Sequence, residues 1–293
     1  MSVIKVENIS KDYGSGRGVF DLSFEVNKGE IFGMLGPNGA GKTTTIRQLM
    51  GFIKSDKGSA EILDMECFAN RENIQSKLGY LPGEIAFMDD MKGSDFIKFI
   101  AEMKSIKNKN RIKELTDLFE LDADRKIKSM SKGTKQKIAI VCAFMNEPEV
   151  VILDEPTSGL DPLMQKKFIE LILEEKKKGT TIFMSSHIFE EVEKTCDRTA
   201  ILKDGKLIAI ENMEELKSKK NKNFEVIFKT NEDAENFKNQ ISFKSELNNN
   251  TIKVVIANNE VNNFIKELSN YNILDINSSS QTLEELFLHF YNK

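Results

Sequence analysis

The 293-residue sequence has few of the residues that most often betray a special chemistry. It has only three cysteines and two histidines. Cys67, Cys142 and Cys196 are far apart and form no C-x-x-C pair or Cys/His cluster. That excludes a disulfide framework and a zinc ribbon, and predicts small buried or half-buried thiols in a reducing cytosol. There is no excess of positive charge either. The net charge is −4 and the pI about 5.6, so no basic footprint predicts a nucleic-acid partner. Long apolar runs are missing as well. The longest, 138–145 (IAIVCAFM), is far short of the ~18 residues that a spanning helix requires. The opening MSVIKVENIS lacks the charged-then-apolar pattern of a secretory signal. A soluble, cytoplasmic chain is expected, with any membrane role supplied by a partner. No internal repeat or extended low-complexity tract interrupts it.

What is present is an alternation of short apolar strands and amphipathic helices. Residues 3–9, 20–35, 59–63 and 78–81 read as strands. Ile46, Leu49, Met50 and Ile53 recur at helical spacing. From about 92 to 147 the pattern is helical, with one stripe of Phe96, Phe99, Ile100 and Met103 and another of Ile112, Leu115, Leu118 and Phe119. The runs 150–153 and 181–185 are short, wholly apolar or nearly so, and end at polar residues. That suits central strands covered on both faces. A helix over 163–178 separates them, and 200–210 reads as a hairpin around Asp204 and Gly205.

The stretch 217–223 (KSKKNKN) is read as a linker rather than a membrane-surface patch, because such runs are usually just solvated. Beyond it, Phe224, Val226 and Phe228 alternate as a strand, and 251–256 and 272–277 give two more. Ala234, Phe237 and Ile241 form one helix stripe; Val261, Phe264, Ile265 and Leu268 form another. A last helix is predicted from Thr282 and Glu285, a capping box, with Leu283, Leu286, Phe287 and Phe290 behind it. The βαβαβα order predicts a small α+β domain of split-βαβ character.

Two motifs carry chemistry. Gly36, Pro37, Asn38, Gly39, Ala40, Gly41, Lys42 and Thr43 fit G-x-x-x-x-G-K-[ST] between a strand and a helix. Glycines let the backbone turn its N–H groups inward as an anion nest, and the helix adds its positive end. Lys42 is expected on the β- and γ-phosphates, the Thr43 hydroxyl on Mg²⁺, and Thr44 on an outer phosphate oxygen. The second motif is an apolar strand ending in Asp154 and Glu155. Taken alone, the pair also reads as acids in a first helical turn. With a phosphate loop about 110 residues upstream, Asp154 is the expected Mg²⁺ partner and Glu155 the expected base.

Pro156, Thr157, Ser158, Gly159, Leu160 and Asp161 complete a DEPTSGLD run, and Ser186 and His187 follow about thirty residues later. Over roughly 2–216 the sequence resembles the nucleotide-binding subunit of ATP-binding cassette (ABC) transporters. The resemblance implies an α/β fold: a P-loop ATPase core over 1–216 with a mostly parallel central sheet, an antiparallel β subdomain and a helical subdomain at about 84–147. The linker 217–223 and a small α+β accessory domain over 224–293 would follow. It implies two cassettes, identical or different, packed head to tail around two ATP molecules, each with Mg²⁺, beneath separate transmembrane permease subunits on the inner face of the cell membrane. The signature loop would be Ser131, Lys132, Gly133, Thr134, Lys135 and Gln136. Ser131 and the Gly133 backbone would bind the partner's γ-phosphate. His187 would contact the γ-phosphate and orient the water, Tyr13 would stack on adenine, and Asp161 would lie at the interface. His289 is read as structural.

Two positions depart from the family pattern. The signature reads S-K-G-T rather than S-G-G-Q, and Gly83, with Glu84 beside it, stands at the place of a glutamine that senses Mg²⁺ and water. The YLPGE segment and the C-terminal unit resemble an exporter branch for drugs, antibiotics and lipids. An importer would need a solute-binding protein as a third partner. A soluble ATPase of translation or DNA repair would carry two cassettes, a long coiled coil or zinc cysteines. A non-catalytic regulator would lose Lys42, Glu155 or His187.

Overall fold

The computed structural model describes residues 1–106, 108–218 and 221–280. The chain divides into two compact units, Met1–Glu211 and Asn212–Lys293.

In the first unit β1 (Ser2–Asp12) and β2 (Gly18–Asn27) form an antiparallel pair, and β3 (Ile31–Leu35) enters the central sheet. The phosphate loop leads to α1 (Lys42–Leu49). Ile46, Leu49 and Met50 are buried, but the helix ends before Ile53, at Gly51 with φ +66°. Then come β4 (Lys57–Ile62), β5 (Met65–Glu66), α2 (Arg71–Lys77) and β6 (Leu78–Leu81). The helical stretch holds α3 (Gly93–Met103), α4 (Asn110–Leu118) and α5 (Lys132–Phe144). After it run β7 (Val150–Asp154), α6 (Pro162–Lys177), β8 (Thr181–Ser186), α7 (Phe189–Thr195), β9 (Arg198–Lys203) and β10 (Lys206–Asn212).

One sheet has the order β2-β1-β4-β5 and the central one β10-β9-β3-β8-β7-β6. The inner pairs of the central sheet are parallel, and β9 and β10 form the hairpin expected at Asp204 and Gly205, both with positive φ. Strands β3, β7 and β8 are buried at every residue, which is why their sequences run apolar instead of alternating. Phe24, Phe32 and Phe183 stack with centroids 5.4–6.1 Å apart, joining the antiparallel layer to the central sheet.

The α3 stripe differs from expectation. Gly93, Ile97 and Ala101 face inward, whereas Phe99 is 37% and Met103 68% exposed. Small residues decide this: a Cβ on Gly93 would lie 2.7 Å from Ile138 Cδ1, so the helix sits too close to α5 for a large side chain there. In α4, Leu115 is buried and Phe119 follows at the C-cap, as expected. The three cysteines are free, and burial pushes each thiol up to about 12.

The second unit begins with α8 (Met213–Ser218) and continues with β11 (Asn221–Phe228), α9 (Asn231–Gln240), β12 (Ser245–Asn248), β13 (Thr251–Ala257), α10 (Val261–Leu268) and β14 (Ile273–Ser280). The linker reading of 217–223 is corrected at both ends. Lys217 and Ser218 belong to α8, and Asn221, Lys222 and Asn223 already pair with β13. Strand β12 was not expected; it is short and polar, and hairpins onto β13 through Asn249 with φ +53°. The order β12-β13-β11-β14, all antiparallel, is a βαββαβ split-βαβ arrangement. Its core is Phe224, Val226 and Phe228 with Ile252, Val254, Ile256, Phe237 and Phe264. The helix predicted from Thr282, and His289 with it, lies outside the described residues.

One buried ion pair fixes α4 against α6. Arg111 Nη2 lies 2.6 Å from Glu175 Oε1, and Glu175 is 1% exposed. Arg111→Ala would strand that carboxylate with Lys178 as its remaining cation, 2.7 Å away. The expected loss is about 3 kcal/mol, the low end for breaking a buried pair because Lys178 stays. A denaturant midpoint unchanged by the substitution would remove the pair's structural role.

Candidate functional site

The phosphate loop turns directly out of β3. Gly39 and Gly41 adopt φ +85° and +106°, and a Cβ on Gly41 would lie 2.6 Å from Val19 Cγ1. Those two positions need glycine, one for conformation and the other also for space. Ala40 is buried, while Pro37, Asn38 and Gly39 are exposed at the loop crest. Gly36 is pressed against the end of β9: its Cβ would lie 2.7 Å from Leu202 O. Lys42 is 5% exposed; its Nζ donates to the Gly36 and Pro37 carbonyls at 2.8 and 3.2 Å. Thr43 is exposed and Thr44 half-buried on the first turn of α1.

The acidic strand end reaches the same place through sheet register. Asp154, the last residue of β7, pairs with Ser185 of β8. Asp154 is 1% exposed; Oδ1 accepts from Ser185 Oγ at 2.5 Å, and Oδ2 is buried without a hydrogen-bond partner. Glu155 follows in the left-handed region, φ +49°, uncommon for a residue with a Cβ. Its N–H donates to Ser185 O and Ser185 Oγ at 3.2 and 3.1 Å. The turn swings the carboxylate back, so that Glu155 Oε1 stands 3.5 Å from Lys42 Nζ and 3.3 Å from His187 Nδ1. The three expected catalytic side chains therefore converge on one point.

Thr43, Asp154 and Glu155 line an open cleft of about 560 Å³ with Arg47, Tyr80 and Gly83. A Cβ on Gly83 would lie 3.0 Å from Asp154 Oδ2, so a side chain there would crowd that oxygen. Glu84 also lines the cleft. Burial, with Asp154 nearby, pushes the Tyr80 hydroxyl up to about 12, so it stays a neutral donor.

The signature loop is built differently. Ser131 caps α5, its Oγ accepting from Thr134 N–H at 3.2 Å and lying 2.9 Å from Thr134 Oγ1. Lys132 reaches the cleft, but Ser131, Gly133 and Thr134 do not line it. Asp161 caps α6 by accepting from Met164 N–H at 3.0 Å, with Pro162 at the first helical position. Tyr13 is 50% exposed on the loop between β1 and β2. That loop ends at Gly18, whose carbonyl lies near Gly41.

Three residues to which the sequence analysis assigns no role support the site. Ser185 holds both acids. Ser186 Oγ accepts from Ile188 N–H at 3.0 Å and donates to Glu191 Oε2 at 2.5 Å, which orders the segment carrying His187. Glu191 is 5% exposed, and burial raises its pKa against the lowering effect of the Ser186 hydrogen bond. The only sequence signal for these was a pair of hydroxyls and an acid flanking His187.

Comparison with known proteins gives a family. The family model for ABC transporters matches residues 19–158. An uncharacterised ABC transporter ATP-binding protein of Methanocaldococcus jannaschii is 39% identical over 218 residues, covering 73% of this chain and 79% of that one. The bacitracin transport ATP-binding protein of Bacillus licheniformis is 37% identical over 227 residues, 76% and 74% of the two chains. Among solved structures, an ATP-binding subunit of an ABC transporter superposes with a TM-score of 0.67 at 30% identity, covering 74% of this chain and 92% of that one. A phosphate loop, an acidic strand end and a relative of this similarity spanning more than two thirds of both lengths lead to one conclusion: the chain belongs to the ABC transporter family, as its ATP-binding, ATP-hydrolysing subunit.

Proposed function

We propose that this subunit powers export of an antibiotic-, drug- or lipid-like compound, working as a pair of copies beneath separate membrane permease subunits at the inner face of the cell membrane. The export reading draws on the similarity to the bacitracin transport protein. The observation that carries the mechanism is the meeting of Glu155 with Lys42 and His187 at the mouth of the phosphate loop.

That geometry supports the roles of Lys42, Glu155 and His187; those of Tyr13, Asp161 and the signature loop rest on the family resemblance. The loop N–H groups and Lys42 hold the phosphates of ATP, and the Tyr13 ring takes the adenine face. Glu155 accepts a proton from the attacking water while His187 orients it. The water oxygen bonds to the γ-phosphorus as the bond to the β–γ bridging oxygen breaks, leaving ADP and phosphate. Asp154 fits a divalent cation: Oδ2 is a buried carboxyl oxygen without a hydrogen-bond partner. Asp154, through water, and Thr43 would hold Mg²⁺, which when bound offsets phosphate charge. Ser131, Lys132, Gly133 and Thr134 offer the start of α5 to the γ-phosphate bound by the partner copy, and Asp161 lies at the seam. Each γ-phosphate is then a ligand for both copies, so ATP binding and pairing are linked.

The membrane subunit has a place to dock. Beside the cleft runs an apolar groove of about 400 Å³ lined by Phe52, Tyr80, Phe87, Phe96, Ile100 and Ala139. An amphipathic helix of the permease would bury its apolar side there. No helix among the described residues is long and apolar enough to cross a membrane, so the spanning part is assigned to that partner.

Glu155→Gln should cut turnover about 10²–10⁴-fold while ATP still binds, and should accumulate an ATP-dependent dimer in light scattering. Normal hydrolysis in that variant would refute the base assignment. Lys42→Ala should weaken nucleotide affinity itself by roughly 10–100-fold, read with a fluorescent ATP analogue; undiminished affinity would overturn the phosphate-loop assignment. Tagged chain purified from mild-detergent membranes should bring down a multi-spanning subunit. Recovery with ribosomes or soluble proteins instead would move the ATPase away from transport.

A further inference from the structure

The turn that carries Glu155 is held by the signature loop. The grip includes a lysine where the family pattern has glycine. Gln136, buried in α5, donates from Nε2 to Pro156 O at 2.7 Å. The Gly133 backbone passes so close that a Cβ there would lie 2.6 Å from Gly159 O. Between these two contacts the Lys132 side chain lies flat on Gly159. A Cβ on Gly159 would meet its Cγ, Cδ and Cε at 2.9, 3.0 and 3.3 Å. Lys132 Nζ then donates to Ser158 Oγ at 2.8 Å. Ser158 in turn gives its N–H to Glu155 O at 3.1 Å, closing the turn. Two hydrogen bonds therefore separate the signature lysine from the residue assigned as base.

We propose that Lys132 is a positioning residue: through Ser158 it reports the state of the signature loop to Glu155 of the same chain, so that ATP at one site of the pair sets the base of the other. This rests on the reading that two copies pair. The lysine suits the task. Its ammonium is a point charge on a flexible stem, able to move between acceptors. Alone, it has the neutral Ser158 hydroxyl. When the partner's γ-phosphate reaches the start of α5, an anionic oxygen competes for it, and charged acceptors win. Release of Ser158 then lets the turn shift. Glu155 occupies the uncommon left-handed region, so a small change at Ser158 is felt at its carboxylate.

The alternative role for Lys132 is a phosphate ligand acting only across the interface. In that case Ser158 would be irrelevant, and a double-mutant cycle separates the two. ATP hydrolysis by the full-length chain is measured against ATP concentration for Lys132→Ala, Ser158→Ala, the double variant and Lys132→Arg. Each alanine variant should lower the Hill coefficient toward ~1, because the turn is then released whether or not the partner's ATP is present. The double variant should be no worse than either single one, and Lys132→Arg should restore cooperativity. Additive losses, or Hill coefficients unchanged in both single variants, would overturn the relay. Light scattering of Glu155→Gln with ATP tests the pairing separately. Absence of a dimer there removes the paired reading and the relay with it, whereas a dimer with an additive cycle removes the relay alone.

Discussion

The site depends on the pairing of β7 with β8 at the point where β7 stops. Asp154 lies opposite Ser185, and that one hydroxyl is shared between an aspartate oxygen and the backbone N–H of Glu155. Because both strands are buried along their whole length, a slip of one residue would turn every side chain over and carry both acids away from the phosphate loop. Hydrophobic burial thus holds a polar constellation in place. The strained φ of Glu155 is tolerated because two hydrogen bonds to Ser185 fix its N–H.

The same economy governs the surroundings. Gly41, Gly83, Gly93 and Gly133 each mark a close approach that a methyl group would obstruct. At Gly41 the approach closes the phosphate loop against β2, and at Gly93 it seats α3 on α5. At Gly133 it lays the signature loop against the segment after Glu155. The helical subdomain is bound to the core by charge as well. Arg111 meets Glu175 near one end of α4, and Glu120, just past the other, meets Lys167. Both partners lie on α6, the helix capped by Asp161.

Much of this was legible in the sequence because the chemistry is demanding. A phosphate nest needs glycines at fixed offsets and a lysine at its end, and a cation site needs an acid after a buried strand. The supporting residues left no such mark. Ser185 and Ser186 are ordinary hydroxyls until the register of β7 and β8 is known, and Glu191 looks like any surface acid of a short helix. The stripe of large side chains does not mark the inward face of α3, because closeness to α5 favours glycine and alanine there. Strand β12 was missed because an edge strand reading SELN has no apolar alternation, and β11 starts three residues before its first apolar side chain.

The cysteines have a consequence outside catalysis. With each thiol held near 12, the thiolate fraction at neutral pH lies roughly three orders of magnitude below that of an ordinary cysteine. Burial therefore slows the native thiols toward maleimides and spin-label reagents. One cysteine introduced on the exposed crest of a loop would stand out against that background, and distances between two labelled copies could be followed through a hydrolysis cycle without first stripping the protein of its own sulfur.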